Sequence, residues 1–291
     1  MPGRLVLTRR RLTSLGAVLL AGPGLSTSAA AQKFDRSRIG ALRFSEDFAD
    51  FRPYGESART GRWRTQFGHG QVIDGEFSRT HGDKELQCYV DPGFAGLGLD
   101  PFRILRSRAG SALRISLWPT PPHARAACFG RPFVSGMLSS EPCIAMEQGY
   151  WEVAARLPRY VSGIWPGIWL LPSAALWPPE IDLIEVVKGE ALCTSHTAQN
   201  GRHEFDSTRL PALGDLSDRV HTFGLMHDGR WLTWHIDGLQ VKRTPVAADQ
   251  RRPFFLLVNL CIAEASARGP IAPDTRADMV IEHIRAYALR T

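Results

Sequence analysis

Three carboxylates stand within six residues of an otherwise apolar run, Pro178-Pro179-Glu180-Ile181-Asp182-Leu183-Ile184-Glu185-Val186-Val187. An ionised carboxylate in apolar surroundings must be paired, neutralised or solvated, so the cluster demands compensation. On a regular strand Glu180 and Asp182 share one face while Ile181 and Leu183 point to the other. Strict alternation would turn Glu185 toward the core. One extra residue, a β-bulge near Leu183-Ile184, returns it to the face of the other two. Two carboxyls about 5–5.5 Å apart can perform retaining glycoside hydrolysis, one attacking the anomeric carbon while the other protonates the leaving oxygen and then activates water. Glu180 and Glu185 are the candidates for that pair, and Asp182 between them is placed to hydrogen-bond Glu180. Proton sharing within such a coupled group would keep Glu185 protonated near neutral pH. A solvated acidic edge strand or a calcium site fits the same spacing. Against these, the interleaved aliphatic residues favour a buried strand, and calcium normally takes its ligands from a loop.

The elements that must hold this segment read as β-structure. From Tyr150 to Leu157, Trp151, Val153, Ala155 and Leu157 alternate with Tyr150, Glu152, Ala154 and Arg156, as a strand with two unlike faces requires. Phe133 to Ser139, Gly167 to Leu171, Phe254 to Leu260 and Met279 to Tyr287 are further strand candidates. Trp231 to Ile236 runs into Asp237-Gly238 and out through Leu239 to Val241, a two-residue hairpin signal. Many short strands joined by Gly and Pro turns predict a β-sandwich or jelly roll, whose curved sheet offers a concave face for a long ligand.

Composition narrows the class. A chain of 291 residues with 44% hydrophobic content can bury a sizeable core. Residues 1–31 carry Arg4, Arg9, Arg10 and Arg11, an apolar stretch from Leu12 to Ala21 and a small-residue end at Ala29-Ala30-Ala31, the layout of a signal peptide. Thr8 to Leu12 is similar to a twin-arginine export signal, with an ordinary secretory signal as the alternative. Taking those four arginines from the formal charge of +6 leaves +2, too little for a phosphate-binding surface, so nucleic acid is not an expected partner. The apolar run is about half the roughly 20 residues that a membrane span needs. No repeat or linker divides residues 32–291, which are read as one domain. Cys88, Cys128, Cys143, Cys193 and Cys261 permit one or two disulfides and leave at least one thiol over, with no metal-binding spacing.

At the carboxylate segment the sequence resembles glycoside hydrolase family 16, whose signature is E-x-D-x-E or, with a bulge, E-x-D-x-x-E. The bulged form is matched by Glu180, Asp182 and Glu185. Phe44 to Phe48, Lys84 to Tyr89, Gly149 to Val153, Trp165 to Trp169, His221 to Phe223, Trp234 to Gly238 and Pro253 to Leu260 continue the resemblance in order, over roughly residues 42–287. It implies a concanavalin A-like jelly roll with substrate in a concave cleft. Glu180 would be the nucleophile, Asp182 its assistant and Glu185 the acid/base. Members include laminarinases, mixed-linkage glucanases, agarases, carrageenases and enzymes that trim bacterial exopolysaccharides. Trp177 to Val187 and Ser195 to Gly201 are most similar to succinoglycan depolymerases among these.

The expected partner is therefore a polysaccharide, cut by an exported, periplasmic or extracellular monomer. The resemblance implies no required cofactor; it carries a structural calcium on the convex side, for which the nearby carboxylate here is Glu282. Trp177, beside the turn-like Pro178-Pro179, and Trp165 are expected at the cleft as platforms for sugar rings, and Trp169 in the core. His196, on the following strand, is a candidate donor to a sugar hydroxyl or a carboxylate, with a structural histidine as the alternative. Asn259 and Glu85 occupy positions where the family places cleft residues. After Asn259-Leu260 the family usually continues with two glycines and a tryptophan; Cys261 to Ser266 stand here instead, so a cleft-edge contact is expected to be missing or remodelled. A transglycosylase using the same carboxylates, or a binding-only jelly roll, are the competing functions.

Overall fold

Alternation of apolar and polar residues along short segments produces two sheets that pack face to face. The computed structural model describes residues 32–68, 72–82, 84–199 and 201–290. The segment expected to be a signal peptide lies outside the described residues. One sheet holds ten strands: β1 (Ile39–Glu46), β2 (Gln87–Tyr89), β3 (Phe102–Ser107), β4 (Gly110–Pro119), β5 (Phe133–Ser135), β7 (Gly149–Arg156), β12 (His221–His227), β13 (Trp231–Ile236), β14 (Leu239–Pro245) and β16 (Ala277–Leu289). The other holds six, in the order β11 (Arg202–Arg209), β10 (Glu190–Gln199), β9 (Glu180–Val187), β8 (Ile164–Pro172), β15 (Phe254–Ile262) and β6 (Met137–Ser139). The result is an all-β jelly-roll sandwich. Among the described residues no helix is long and apolar enough to cross a membrane.

The core between the sheets follows from the period of two. Leu113, Ile115 and Leu117 of β4, Trp151, Val153 and Ala155 of β7, and Leu232, Trp234 and Ile236 of β13 face Ile181 of β9 and the even-numbered residues Phe254 to Ile262 of β15. The odd-numbered residues of β15 are also buried, because Phe255 and Leu257 join Phe67, Tyr89, Met137, Trp169 and Leu171 in a second cluster on the opposite side of the six-stranded sheet. That second cluster floors one end of the cleft described below. The β13–β14 turn has Asp237 at φ 51° and Gly238 at φ 74°, the left-handed pair that a two-residue hairpin of this twist requires.

Phe133 to Ser139, read above as one strand, is two. β5 belongs to the ten-stranded sheet and β6 to the six-stranded one, so the chain changes layer at Gly136. A Cβ there would lie 2.8 Å from the Phe102 ring and 3.0 Å from an Ile115 methyl, which leaves room for hydrogen alone. All five cysteines are free thiols. Cys88 and Cys128 are buried in one apolar cluster, with the Cys88 thiol directed at the Tyr89 carbonyl, whereas Cys143 is exposed.

The crossing gives a stability test. Gly136→Ala should lose about 1–3 kcal/mol of unfolding free energy through overpacking, measured as a lower urea midpoint at unchanged slope. A midpoint equal to that of the parent protein would contradict this account of the layer change.

Candidate active site

β9 lies between β8 and β10, and its alternation is broken once. Asp182 pairs with Thr194 and Glu185 with Leu192, which leaves Leu183 and Ile184 together opposite Cys193. On the other side Trp169 pairs with Asp182 and Ile168 with Ile184, so the irregularity is felt in both ladders. The bulge therefore falls at Leu183-Ile184, as the spacing predicts. Both aliphatic side chains enter the inter-sheet core, and Glu185 emerges beside Glu180 in the lining of a cleft of about 230 Å³.

Bonds from neighbouring elements hold the bulge. Trp234 reaches across from the ten-stranded sheet and donates Nε1–H to the Asp182 carbonyl at 2.7 Å. The Cys193 thiol donates to the Leu183 carbonyl at 2.9 Å. Lys242 of β14 points inward as well. Its ammonium bonds the Cys193 and Asp206 carbonyls, tying β10 to β11, and lies 5.2 Å from the Trp234 ring centre.

Each outer carboxylate meets its own indole. Trp177 donates to Glu180 Oε2 and Trp165 to Glu185 Oε1, both at 2.8 Å. Trp177 is 55% exposed and Trp165 half-buried, so both stand at the cleft as expected. Asp182 lies beneath them, 1% exposed. Its Oδ2 is 3.2 Å from His196 Nε2, which is also 3.7 Å from Glu180 Oε1. His196 is thus brought to the carboxylates as one of its two expected roles requires.

Burial dominates the electrostatics. It pushes the Glu180 carboxyl up to about 8, with the charges of Asp182 and Glu185 adding to the rise and His196 and the Trp177 hydrogen bond opposing it. Burial likewise holds Asp182 well above the usual carboxylate range, reinforced by the charge of Glu185; a hydrogen bond with Glu180 and the Lys242 charge oppose it. Glu185 is raised by burial against the Trp165 hydrogen bond and His196. The sequence reading assigned the proton on Glu185 to repulsion within the group. Desolvation is the leading cause instead, and Glu180 is raised as well.

The rest of the cleft comes from β8, β15 and the segment around residues 67–85. Asn259 accepts from Trp169 Nε1 at 2.7 Å and donates to Tyr89 Oη at 2.8 Å, which locks its amide on the cleft side of β15. Trp169 is buried as expected, but on the cleft side of the sheet, away from the inter-sheet core. Glu85 lines the same cleft, held by Gln87 and 3.2 Å from His81 Nδ1. Gly167 lies between Glu185 and Asn259 in the ladder, and a Cβ there would approach Asn259 Oδ1 to 3.1 Å, so the floor stays bare at that point.

Cys261 to Ser266 stand where the resemblance implies two glycines and a tryptophan. β15 runs on to Ile262, and Ser266 Oγ donates to the Ile164 carbonyl and accepts from Lys188 N–H, both at 2.9 Å. The cleft wall there is the Cys261 thiol. The sequence reading flagged Cys261 only as the start of a departure from the family, although it stands two residues after Asn259 and so shares its face. Phe67 and His81 were not singled out, and they lie in irregular chain about a hundred residues before β9.

A larger cavity of about 910 Å³ lies elsewhere, on the outer side of β4 and β16, and is lined by Asp100, Arg114, Arg159, Tyr160, Arg276 and Asp278. It contains no paired buried carboxylates, so the smaller cleft is the better candidate. Among the described residues, Glu180, Asp182 and His196 are the group of three ligating side chains close enough to share an ion. Glu282, the carboxylate considered for calcium, lines a groove with Asp47, Arg106, His283 and Arg285. Calcium takes six to eight oxygen ligands, and cationic neighbours make that groove a poor fit for it.

Comparison with known proteins agrees with this geometry. The profile of Glycosyl hydrolases family 16 matches residues 112–266. Endo-1,3-1,4-beta-glycanase EglC of Rhizobium meliloti (strain 1021) is 28% identical over 219 residues, covering 72% of this chain and 44% of that protein. Endo-1,3-1,4-beta-glycanase ExsH of the same organism is 28% identical over 210 residues, covering 70% and 43%. The chain thus spans less than half the length of these two relatives. The laminarinase from Rhodothermus marinus superposes with a TM-score of 0.62 at 25% identity, covering 86% of this chain and 98% of that one.

Two substitutions probe the arrangement without any substrate. Trp177→Phe removes a hydrogen bond that lowers the Glu180 pKa and should move its titration upward from about 8, read by carboxyl NMR on isotope-labelled protein. Trp234→Phe should cost about 1–3 kcal/mol by leaving the Asp182 carbonyl without its donor. An unmoved Glu180 titration or an unchanged stability would contradict the roles given to these indoles.

Proposed function

The chain belongs to glycosyl hydrolases family 16, and from that membership we propose that it cuts β-linked polysaccharides internally by a retaining double displacement. In this reading Glu180 is the nucleophile, Glu185 the acid/base and Asp182 the proton partner of Glu180. The observation that carries the proposal is the bulge at Leu183-Ile184, which brings Glu185 back beside Glu180 in one cleft with a separate indole on each.

The chemistry follows from the environments. Asp182, the most deeply buried of the three, shares a proton with Glu180 in a coupled buried group, and the ionised form of Glu180, which gains weight as pH rises toward about 8, is the nucleophile. The Glu180 carboxylate attacks the anomeric carbon as Glu185 delivers its proton to the departing glycosidic oxygen. A glycosyl ester on Glu180 and a free chain end result. Glu185, now ionised, takes a proton from water, and the resulting hydroxide displaces Glu180 from the same face that the leaving group occupied. Both carboxyls then return to their starting states, and no cofactor takes part.

The substrate class is a β-1,3/1,4-glucan or a bacterial exopolysaccharide such as succinoglycan. The names of the two Rhizobium relatives support this, as does the resemblance of Trp177 to Val187 and Ser195 to Gly201. The pattern of residues 1–31 supports action outside the cytoplasm.

Reducing-end release and product sizing on laminarin, mixed-linkage β-glucan, succinoglycan, agarose and carrageenan test the proposal. Cleavage should give mid-sized fragments first, vanish in Glu180→Gln and fall about 10²–10⁴-fold in Glu185→Gln. Glu180→Gln should remain folded, and near pH 8 should be more stable than the parent. Burial raises the folded-state pKa of Glu180, so the stability linked to its proton is present at low pH and lost as pH rises through about 8. His196 lowers both Glu180 and Glu185, so in His196→Ala both limbs of the bell-shaped kcat/KM profile should move to higher pH. A folded parent protein silent on all five polymers, or a Glu180→Gln protein that still cuts, would overturn the reading.

A further inference from the structure

The cleft lies mainly on the β8 and β15 side of the carboxylates, yet the row that begins at Glu180 continues the other way. Glu180 pairs with His196 on β10, and His196 pairs with Phe205 on the edge strand β11, so all three side chains share the cleft face. Phe205 is 66% exposed. Edge strands ordinarily present polar or charged side chains to solvent, so an uncovered phenyl ring there calls for an explanation.

Its neighbours supply one. His203 lies on the same face of β11, stacked on His196 with ring centres 5.1 Å apart and planes 20° apart. Its Nε2 is 2.8 Å from His196 Nδ1. Phe205 is inclined by 32° to His203 and by 35° to His196, at 6.0 and 5.9 Å. Trp177, the indole bonded to Glu180, lies 4.6 Å from His203. His203 and Phe205 extend the row beyond the enclosed pocket, and Trp177 and His196, which line that pocket, join them to the paired carboxylates. A pyranose presents an apolar C–H face that suits such rings, and its hydroxyls can bond the imidazole edge. Burial and the neighbouring His196 lower the His203 pKa, which favours a neutral ring able to accept from His196.

We propose that His203 and Phe205, together with Trp177, form an additional sugar subsite that holds one pyranose ring of the β-linked chain beyond the enclosed pocket. The proposal rests on the hydrolase reading above and adds that substrate must extend over β11. It commits to a ring of the same glycan as occupant, because the row is continuous with the carboxylates that would cut that glycan. Phe205 is the residue to change, since His203 also holds His196 whereas the Phe205 side chain is mostly solvent-exposed.

The experiment uses the inactive Glu180→Gln protein and a mixed-linkage β-glucan hexasaccharide, with affinity read by calorimetry. Adding Phe205→Ala should weaken binding about ten-fold, and Phe205→Trp in its place should restore it. With Glu180 intact, Phe205→Ala should also shift the product sizes. Equal affinity with and without the phenyl ring would overturn the subsite while leaving the hydrolase reading standing, as would a loss that tryptophan does not restore. If the Glu180→Gln protein binds no such oligosaccharide and the parent protein is silent on all five polymers named above, the hydrolase reading fails, and the subsite fails with it.

Discussion

A strictly alternating strand cannot turn Glu180, Asp182 and Glu185 to one side, and the extra residue at Leu183-Ile184 is what allows β9 to do so. The same extra residue sends two adjacent aliphatic side chains into the core between the sheets, which anchors the irregularity by burial. Backbone groups freed from regular pairing must find partners elsewhere. The Asp182 carbonyl takes the Trp234 indole from the opposite sheet, and the Leu183 carbonyl takes the Cys193 thiol. The position of the carboxylates is thus set by both layers of the sandwich together, and Trp234 links the inter-sheet core directly to the chemistry.

Desolvation then gives each carboxyl its character. All three are raised by burial, and the protein moderates the effect on the outer pair individually, with the Trp177 indole on Glu180, the Trp165 indole on Glu185, and the charge of His196 lowering both. Lys242 acts from below, lowering Asp182 while it ties β10 and β11 together. In the proposed mechanism an acid that must hold its proton and a nucleophile that must lose it share one cleft, and the middle carboxyl, which has the least access to water, shares a proton with the nucleophile.

Local features of the sequence carried much of this. The bulge followed from counting positions between carboxylates, and the β13–β14 hairpin from Asp237-Gly238. Trp177 and Trp165 could be placed by their nearness to β9. Features that depend on contacts between distant segments were not legible. Phe133 to Ser139 has the pattern of one strand, and only the crowding of Gly136 by Phe102 and Ile115 shows why the chain changes layer there. Trp169 alternates like a core residue, but β15 and β8 are covered on both sides, so period alone could not say which side it fills. Lys242 and Phe205 break the simple rule in opposite senses, one a buried cation and the other an exposed ring. The meaning of each appears only beside strands that lie far off in sequence.

The central claim is that the bulge makes Glu180 a nucleophile in a covalent pathway. The most direct test is to incubate the protein with a 2-deoxy-2-fluoro β-glucan oligoside carrying a good leaving group, then locate any covalent adduct by peptide mass spectrometry. The account predicts one glycosyl group per chain, attached to Glu180. An adduct on Asp182 or Glu185, or release of product with inverted anomeric configuration, would contradict it.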